Sequence, residues 1–217
     1  MPEQLADAVI FDLGGVIMKN GGPRDFTRRY PDHDPSFIAE LVMGPHHLDT
    51  DHPWHRVERG EITLAECRAL TKQLLDDAGV IASAPAEQSS AKSGQAFTFQ
   101  LNDDMVAFIH DLKKAGRPIG ILTNNVKEFR EWWWPLMDFA STFDAIVDSH
   151  EVKMRKPNPA IYHHTMQLIG ATPSRTVFLD DLQANVDAAN AIGMHGVLVE
   201  EDSTSAIARA RQLTNIL

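Results

Sequence analysis

The chain has 217 residues, with 30 Asp and Glu against 20 Lys and Arg, a formal net charge of −10, 43% hydrophobic residues and one cysteine. That is enough apolar material for one full domain, or one domain with a sizeable insertion, and it excludes a disordered tail. The acidic balance, with no dense Lys/Arg run, excludes a binder of nucleic-acid backbones, and Cys67 alone excludes an internal disulfide or a multi-cysteine metal site.

The N-terminus, MPEQLADAVIFDLGG, puts acidic residues where a secretory signal places cations, and no apolar run approaches the roughly 18 residues of a membrane span. The expectation is a cytoplasmic protein with no membrane partner. Ala8 to Phe11 is the first of five short apolar, β-rich runs, each the length of a strand buried on both faces. Ile119 to Leu122, Ala145 to Val147, Thr176 to Leu179 and Gly196 to Val199 are the others. Helical patterns separate the later runs. Asn102 precedes DDMVAFIHDLKKA with Gly116 after it, and Asn158-Pro159 opens a helix that ends at Gly170. Strands alternating with helices at this spacing predict an α/β fold, a doubly wound, Rossmann-like parallel sheet with right-handed crossovers.

More than 100 residues separate Phe11 from Ile119, so something is inserted in the first crossover. That stretch lacks a convincing buried strand but contains PSFIAELVMG and TLAECRALTKQLLDDAGV, the latter with Leu64, Cys67, Leu70, Leu74 and Leu75 on one side. The prediction is a core of residues 1–19 and 96–217 and a helical cap over residues 20–95. Ser83 to Gln95 forms the return linker or a loop, and Gly21 and Gly22 serve as hinges or turns.

In open α/β sheets ligands bind beyond the carboxyl ends of the strands. There the chain places Asp12 followed by Leu13-Gly14-Gly15, then Thr123-Asn124-Asn125, then Asp180-Asp181, with Lys156 in MRKPNP after the third run. Such residues also serve as turn formers and helix caps. Together they bring three carboxylates, a hydroxyl, an amide and an ammonium to one rim, a set suited to attack by a carboxylate on a phosphoryl or alkyl centre with help from a cation. Asp12 and one of the Asp pair are able to share Mg²⁺, a hard ion that takes one or two carboxylates and a substrate phosphate. Lys156, Thr123 and Asn124 would hold the phosphoryl oxygens, and Gly14-Gly15 lets the backbone pass close to the ligand.

This pattern resembles the haloacid dehalogenase superfamily. IFDLGGV matches the nucleophile loop, ILTNN the second motif, Lys156 in RKPNPAIY the third and FLDDLQANVDAANAIGM the fourth, in the family's order and over about two thirds of the chain. The combination is most similar to the phosphatase branch that includes the amino-terminal domain of soluble epoxide hydrolases and bacterial sugar-phosphate phosphatases. The resemblance implies a Mg²⁺-dependent phosphomonoester hydrolase, acting on a small phosphate ester as a monomer or homodimer. It implies Asp12 as the nucleophile that forms an aspartyl-phosphate, and Lys156 as the residue orienting it. Asp12, the Gly14 carbonyl, Asp181 and, as support, Asp180 are implied as the metal site. Thr123, Asn124 and Gly15 are implied around the phosphate. Asn185 falls one helical turn beyond Asp181.

Phosphatases of this superfamily usually carry a second Asp two residues after the nucleophile, and here that position is Gly14. Loss of a general acid/base costs roughly 10²- to 10⁴-fold in rate. The rival readings are therefore a 2-haloacid dehalogenase, whose leaving halide needs no proton, and a catalytically weak phosphate-binding sensor. Trp54, His55, Arg56 and Glu58 are the substrate-selecting candidates of the insertion, against simple packing. His46, His47, His52 and His55 match no strong ligand spacing. Trp132, Trp133 and Trp134 cannot all face one side of a helix, so one or two belong to the core.

Overall fold

The computed structural model describes residues 5–19, 30–81 and 99–216. Its centre is a five-stranded, all-parallel sheet. In chain order the elements begin with β1 (Ala8–Phe11), the short β2 (Met18–Lys19) and helices α1 (Pro35–Met43), α2 (Pro53–Glu58) and α3 (Leu64–Asp77). They continue with β3 (Gln100–Leu101), α4 (Asp103–Lys114), β4 (Ile119–Thr123), α5 (Arg130–Trp133) and α6 (Phe139–Thr142). The last are β5 (Ala145–Asp148), α7 (Ser149–Val152), α8 (Pro159–Leu168), β6 (Thr176–Asp180), α9 (Gln183–Ala191), β7 (His195–Leu198) and α10 (Thr204–Thr214).

The strand order is β5-β4-β1-β6-β7. The chain winds outward from β1 on one side and then on the other, so the order reverses beside β1, the point at which such sheets bind ligands. Register does the rest. Phe11 lies opposite both Ile121 and Leu179, and Thr123 opposite Asp148. Asp12, Thr123, Asp148 and Asp180 therefore reach one edge of the sheet together.

Alternation along β1 gives the two faces their cores. Val9 and Phe11 join Phe108 and Ile109 of α4 and Ile207 and Leu213 of α10. Ala8 and Ile10 join Ile161, Tyr162 and Met166 of α8 and Ala189 of α9 on the other side. Asn102 and Asn158 cap α4 and α8 through their side chains, as the sequence signals. Gly116 and Gly170 follow these helices at φ +67° and +66°, a conformation that glycine adopts without steric cost. Four of the five strands begin where the apolar runs do, but β4, β5 and β6 each extend one residue further, to Thr123, Asp148 and Asp180. The ladder continues although the side chains have turned polar. β7 starts and ends one residue earlier than its apolar run.

Among the described residues between β2 and β3 the regular elements are the helices α1, α2 and α3, joined by loops. Asp34 caps α1, and a reciprocal Thr63/Glu66 capping box opens α3. Tyr30, Ile38, Leu75 and Val80 form a small core of their own, while Val57, Leu64 and Cys67 pack on Val126 after β4. Leu70 is a correction to the apolar stripe: it is 37% exposed, and Thr71, four residues after Cys67, is the buried neighbour. The helices packed on α3 cover less of it than the stripe spans. Of the three tryptophans, Trp133 is buried and Trp132 exposed. The linker at Ser83 to Gln95, the hinge glycines Gly21 and Gly22 and the boundaries at 20 and 95 lie outside the described residues. Among those described, no helix is long and apolar enough to cross a membrane.

The chain leaves the sheet and returns to it through β2 and β3, which pair antiparallel, Met18 opposite Leu101 and Lys19 opposite Gln100. Asn102 closes this ribbon. Its N–H donates to Ile17 O at 2.8 Å and its Nδ2 to Val16 O at 3.3 Å and Ser203 Oγ at 3.0 Å, while its Oδ1 accepts from Met105 N. Asn102→Ala removes the cap and both buried side-chain bonds together, and should lower unfolding stability by about 1–3 kcal/mol in urea titration with an unchanged slope.

Candidate active site

Asp12 leaves the end of β1 with its N–H bonded to Leu179 O of β6 at 2.8 Å. Its Oδ1 accepts from Leu13 N at 2.7 Å and lies 2.9 Å from Lys156 Nζ. The same ammonium donates to Asp180 Oδ2 at 2.6 Å. Asp180 is fully used: its Oδ1 accepts from Leu182 N and from Asn185 Nδ2, each at 2.9 Å. The capping role open to Asp180 in the sequence is not the one it takes: the helix has Leu182 as its N-cap with no side-chain cap bond, and Asp180 instead holds the Leu182 N–H and the Asn185 amide beside its ion pair. Asp181 completes the cluster from the rim, since Asp12, Asp180 and Asp181 each offer an oxygen within 4.8 Å of the others.

Lys156 is buried, with its ammonium 5.5 Å from the centre of the Phe178 ring. Asn124 holds the lysine backbone at both ends: Nδ2 donates to Lys156 O at 3.0 Å and Oδ1 accepts from Lys156 N at 2.8 Å. Thr123 is buried at the end of β4. Asn125, next in the run, is tied to Ser149 Oγ through its own N–H at 3.0 Å.

The electrostatics follow from this crowding. Burial pushes Asp12 up to about 7; Lys156 opposes the rise, and the charges of Asp180 and Asp181 add to it. Asp181 is raised to about 6 by partial desolvation first and by Asp180 second, again against Lys156. Burial works against the charge of Lys156, yet its two carboxylate partners prevail and hold its pKa above the usual lysine value.

The two glycines after Asp12 differ. A Cβ on Gly15, at φ +74°, would lie 2.2 Å from Asp181 Oδ2, whereas one on Gly14 would meet nothing within 4 Å. Gly15 gives the backbone its close approach to the cluster, and Gly14 fronts open space. The insertion candidates are placed less centrally. Trp54 Nε1 donates to Glu58 Oε1 at 2.8 Å. Arg56 lies 3.6 Å from Glu61, and its charge acts on Glu61 and Glu66, while the charges acting on Asp12 are those of Lys156, Asp180 and Asp181. His55 is buried, with burial pushing its pKa down to about 3. Sequence reading overlooked Arg155 and Ser149. Arg155 carried one signal, its place directly before Lys156.

Comparison with known proteins gives a family match and similar folds. A family model described as haloacid dehalogenase-like hydrolase matches residues 6–193. The chain is 29% identical over 208 residues to mouse acyl-CoA dehydrogenase family member 10, covering 91% of this chain and 18% of that protein. It is 29% identical over 214 residues to the sesquiterpene phosphatase astK of Aspergillus oryzae, covering 95% of each. It is 26% identical over 213 residues to mouse bifunctional epoxide hydrolase 2, covering 94% of this chain and 38% of that protein. The chain therefore spans well under half the length of two of these relatives. Among solved structures, a HAD-like family hydrolase from Porphyromonas gingivalis superposes with a TM-score of 0.64 at 21% identity, over 96% of this chain and 98% of that one.

Gly15→Ala should lower stability by about 1–2 kcal/mol through its left-handed backbone alone, with a further loss from displacing Asp181. Gly14→Ala should stay within about 0.5 kcal/mol of the parent. Parallel urea titrations of the two variants check both expectations.

Proposed function

The chain belongs to the haloacid dehalogenase-like hydrolases, and on that premise we propose that it hydrolyses small phosphate monoesters with Asp12 as the nucleophile. The observation that carries this reading is the three-carboxylate cluster around one buried ammonium. Likeness to the sesquiterpene phosphatase over 95% of both chains supports it.

The donor set fits a hard divalent cation. Three carboxylates against one ammonium leave two negative charges in excess, and all the donors are oxygens. Asp12, Asp181 and the Gly14 carbonyl would hold Mg²⁺, with Asp180 in support because both of its oxygens are already bonded. Bound there, the ion would neutralise charge between the carboxylates and a phosphate dianion.

The chain's own residues then have separable tasks. Leu13 N and Lys156 fix Oδ1 of Asp12, leaving Oδ2 to attack phosphorus as the ester P–O bond breaks. Thr123, Asn124 and Gly15 border the phosphoryl group, and Asn124 also anchors Lys156. A water later attacks the phosphorus of the aspartyl-phosphate, freeing phosphate and restoring Asp12. No carboxylate stands at Gly14 to protonate the departing oxygen, so esters with good leaving groups are favoured. Trp54 and Arg56 remain the substrate-selecting assignment, Trp54 being held in place through Glu58. Without a bound cation the two excess negative charges would repel a 2-haloacid carboxylate, and a dehalogenase needs no metal, so the extra carboxylates favour the metal-dependent phosphatase.

Phosphate release from a panel of alkyl phosphates and an activated aryl phosphate, with Mg²⁺ or with chelator, tests the reading. Turnover should depend on the metal and fall by about 10³-fold or more in Asp12→Asn. Absence of release from every ester would overturn it, with halide release from 2-haloacids pointing to the dehalogenase and phosphate binding alone to the sensor. Gly14→Asp enters open space, and should raise alkyl-phosphate turnover by about 10²- to 10⁴-fold while changing aryl phosphate much less.

A further inference from the structure

We propose that Glu58 and Arg155 are positioning residues for Asp12: their ion pair, buried between the helical segment and the sheet, fixes the backbone of Lys156 so that its ammonium spans Asp12 and Asp180. The inference rests on the phosphatase reading only for its turnover arm.

The reach of Lys156 depends on where its Cα stands, because its long stem has no preferred fork geometry and loses rotamer freedom when ordered. Asn124 holds the Lys156 backbone from the β4 side. The residue before it is held from the other side. Arg155 Nε donates to Glu58 Oε2 at 2.7 Å and its Nη1 to Leu48 O at 2.8 Å, both reaching about 100 residues back along the chain. The two side chains are only 4% and 8% exposed, so water supplies little competition. Glu58 is itself fixed at the end of α2 by the indole N–H of Trp54. Two residues before Arg155, Lys153 takes φ +59°, in the left-handed region, and its Nζ donates to Gly60 O at 2.8 Å. Three bonds thus run from residues 153–155 into residues 48–60.

A buried ion pair is a poor source of net stability, since well-packed apolar residues often do as well. What this pair does supply is a fixed place for the chain next to Lys156. Misplacing a catalytic group by about 1 Å costs on the order of 10²-fold in rate, so the pair's effect belongs in turnover rather than in folding.

The test compares the full chain with Glu58→Gln and with the double variant Glu58→Leu, Arg155→Met, which leaves no lone buried charge. Each is followed by thermal unfolding, by the ¹⁵Nζ resonance of Lys156 assigned through Lys156→Arg, and by kcat and KM for an activated aryl phosphate. The expected double variant is folded, shows a Lys156 resonance moved toward those of exposed lysines, and loses about 10- to 100-fold in kcat; KM shifts as well, because the Trp54 indole loses its Glu58 acceptor, so kcat and the resonance carry the comparison. Glu58→Gln keeps a hydrogen-bonding partner for Arg155 and should fall between it and the parent. A folded double variant with the parental Lys156 resonance and parental kcat overturns the proposal. If the parent turns over no phosphate ester, the phosphatase reading has failed and the resonance alone decides: unmoved, it overturns the positioning role, and shifted, it supports it. If the double variant does not fold, Glu58→Gln carries the same comparison.

Discussion

Two carboxylates of one sign cannot share a buried site without a cation between them, and everything at the sheet edge is arranged around the ammonium that fills this role. Lys156 lies within hydrogen-bonding reach of Asp12 and Asp180 at once. Without it, desolvation and mutual repulsion would protonate one of the pair. The lysine tolerates burial for the same reason, since each ion is the solvent of the others.

This arrangement is assembled from distant parts of the chain by strand register. Asp12 closes β1 and Asp180 closes β6, its direct neighbour, while Asn124 follows β4 on the opposite side. Only Lys156 has no strand of its own, and its loop is pinned from the sheet by Asn124 and from the helical segment through Arg155. The rigid parts are thus the aligned strand ends, and the adjustable part is the loop that carries the charge balancing them.

Much of this was legible in the sequence because buried parallel strands write themselves as uninterrupted apolar runs, and the polar residue that ends each run marks the ligand-binding edge. Asn102 and Asn158 announced their helices by the same local chemistry that caps them. What stayed hidden has no local signature. β2 and β3 are two residues each, too short for alternation to register. Leu70 reads as apolar stripe whether or not another helix covers it. The pairing of Glu58 with Arg155 joins residues 97 positions apart, and neither charge points to the other in the sequence. Of four insertion residues singled out together, Glu58 bridges to the sheet side while Arg56 turns to Glu61.

The ribbon of β2 and β3 has a consequence of its own. Neighbouring strands lie about 4.8 Å apart, so the chain departs from and rejoins the sheet through a mouth of constant width. The entropy of closing that mouth grows only with the logarithm of what it encloses, by about 0.6 kcal/mol for each doubling in length. The enclosed helices can therefore lengthen, shorten or be exchanged over evolutionary time while β1 and α4 keep their places. What such exchange must keep is the second set of ties, where Glu58, Leu48 and Gly60 meet residues 153–155 and Val57 packs on Val126, so the enclosed segment is free in length but not at that seam.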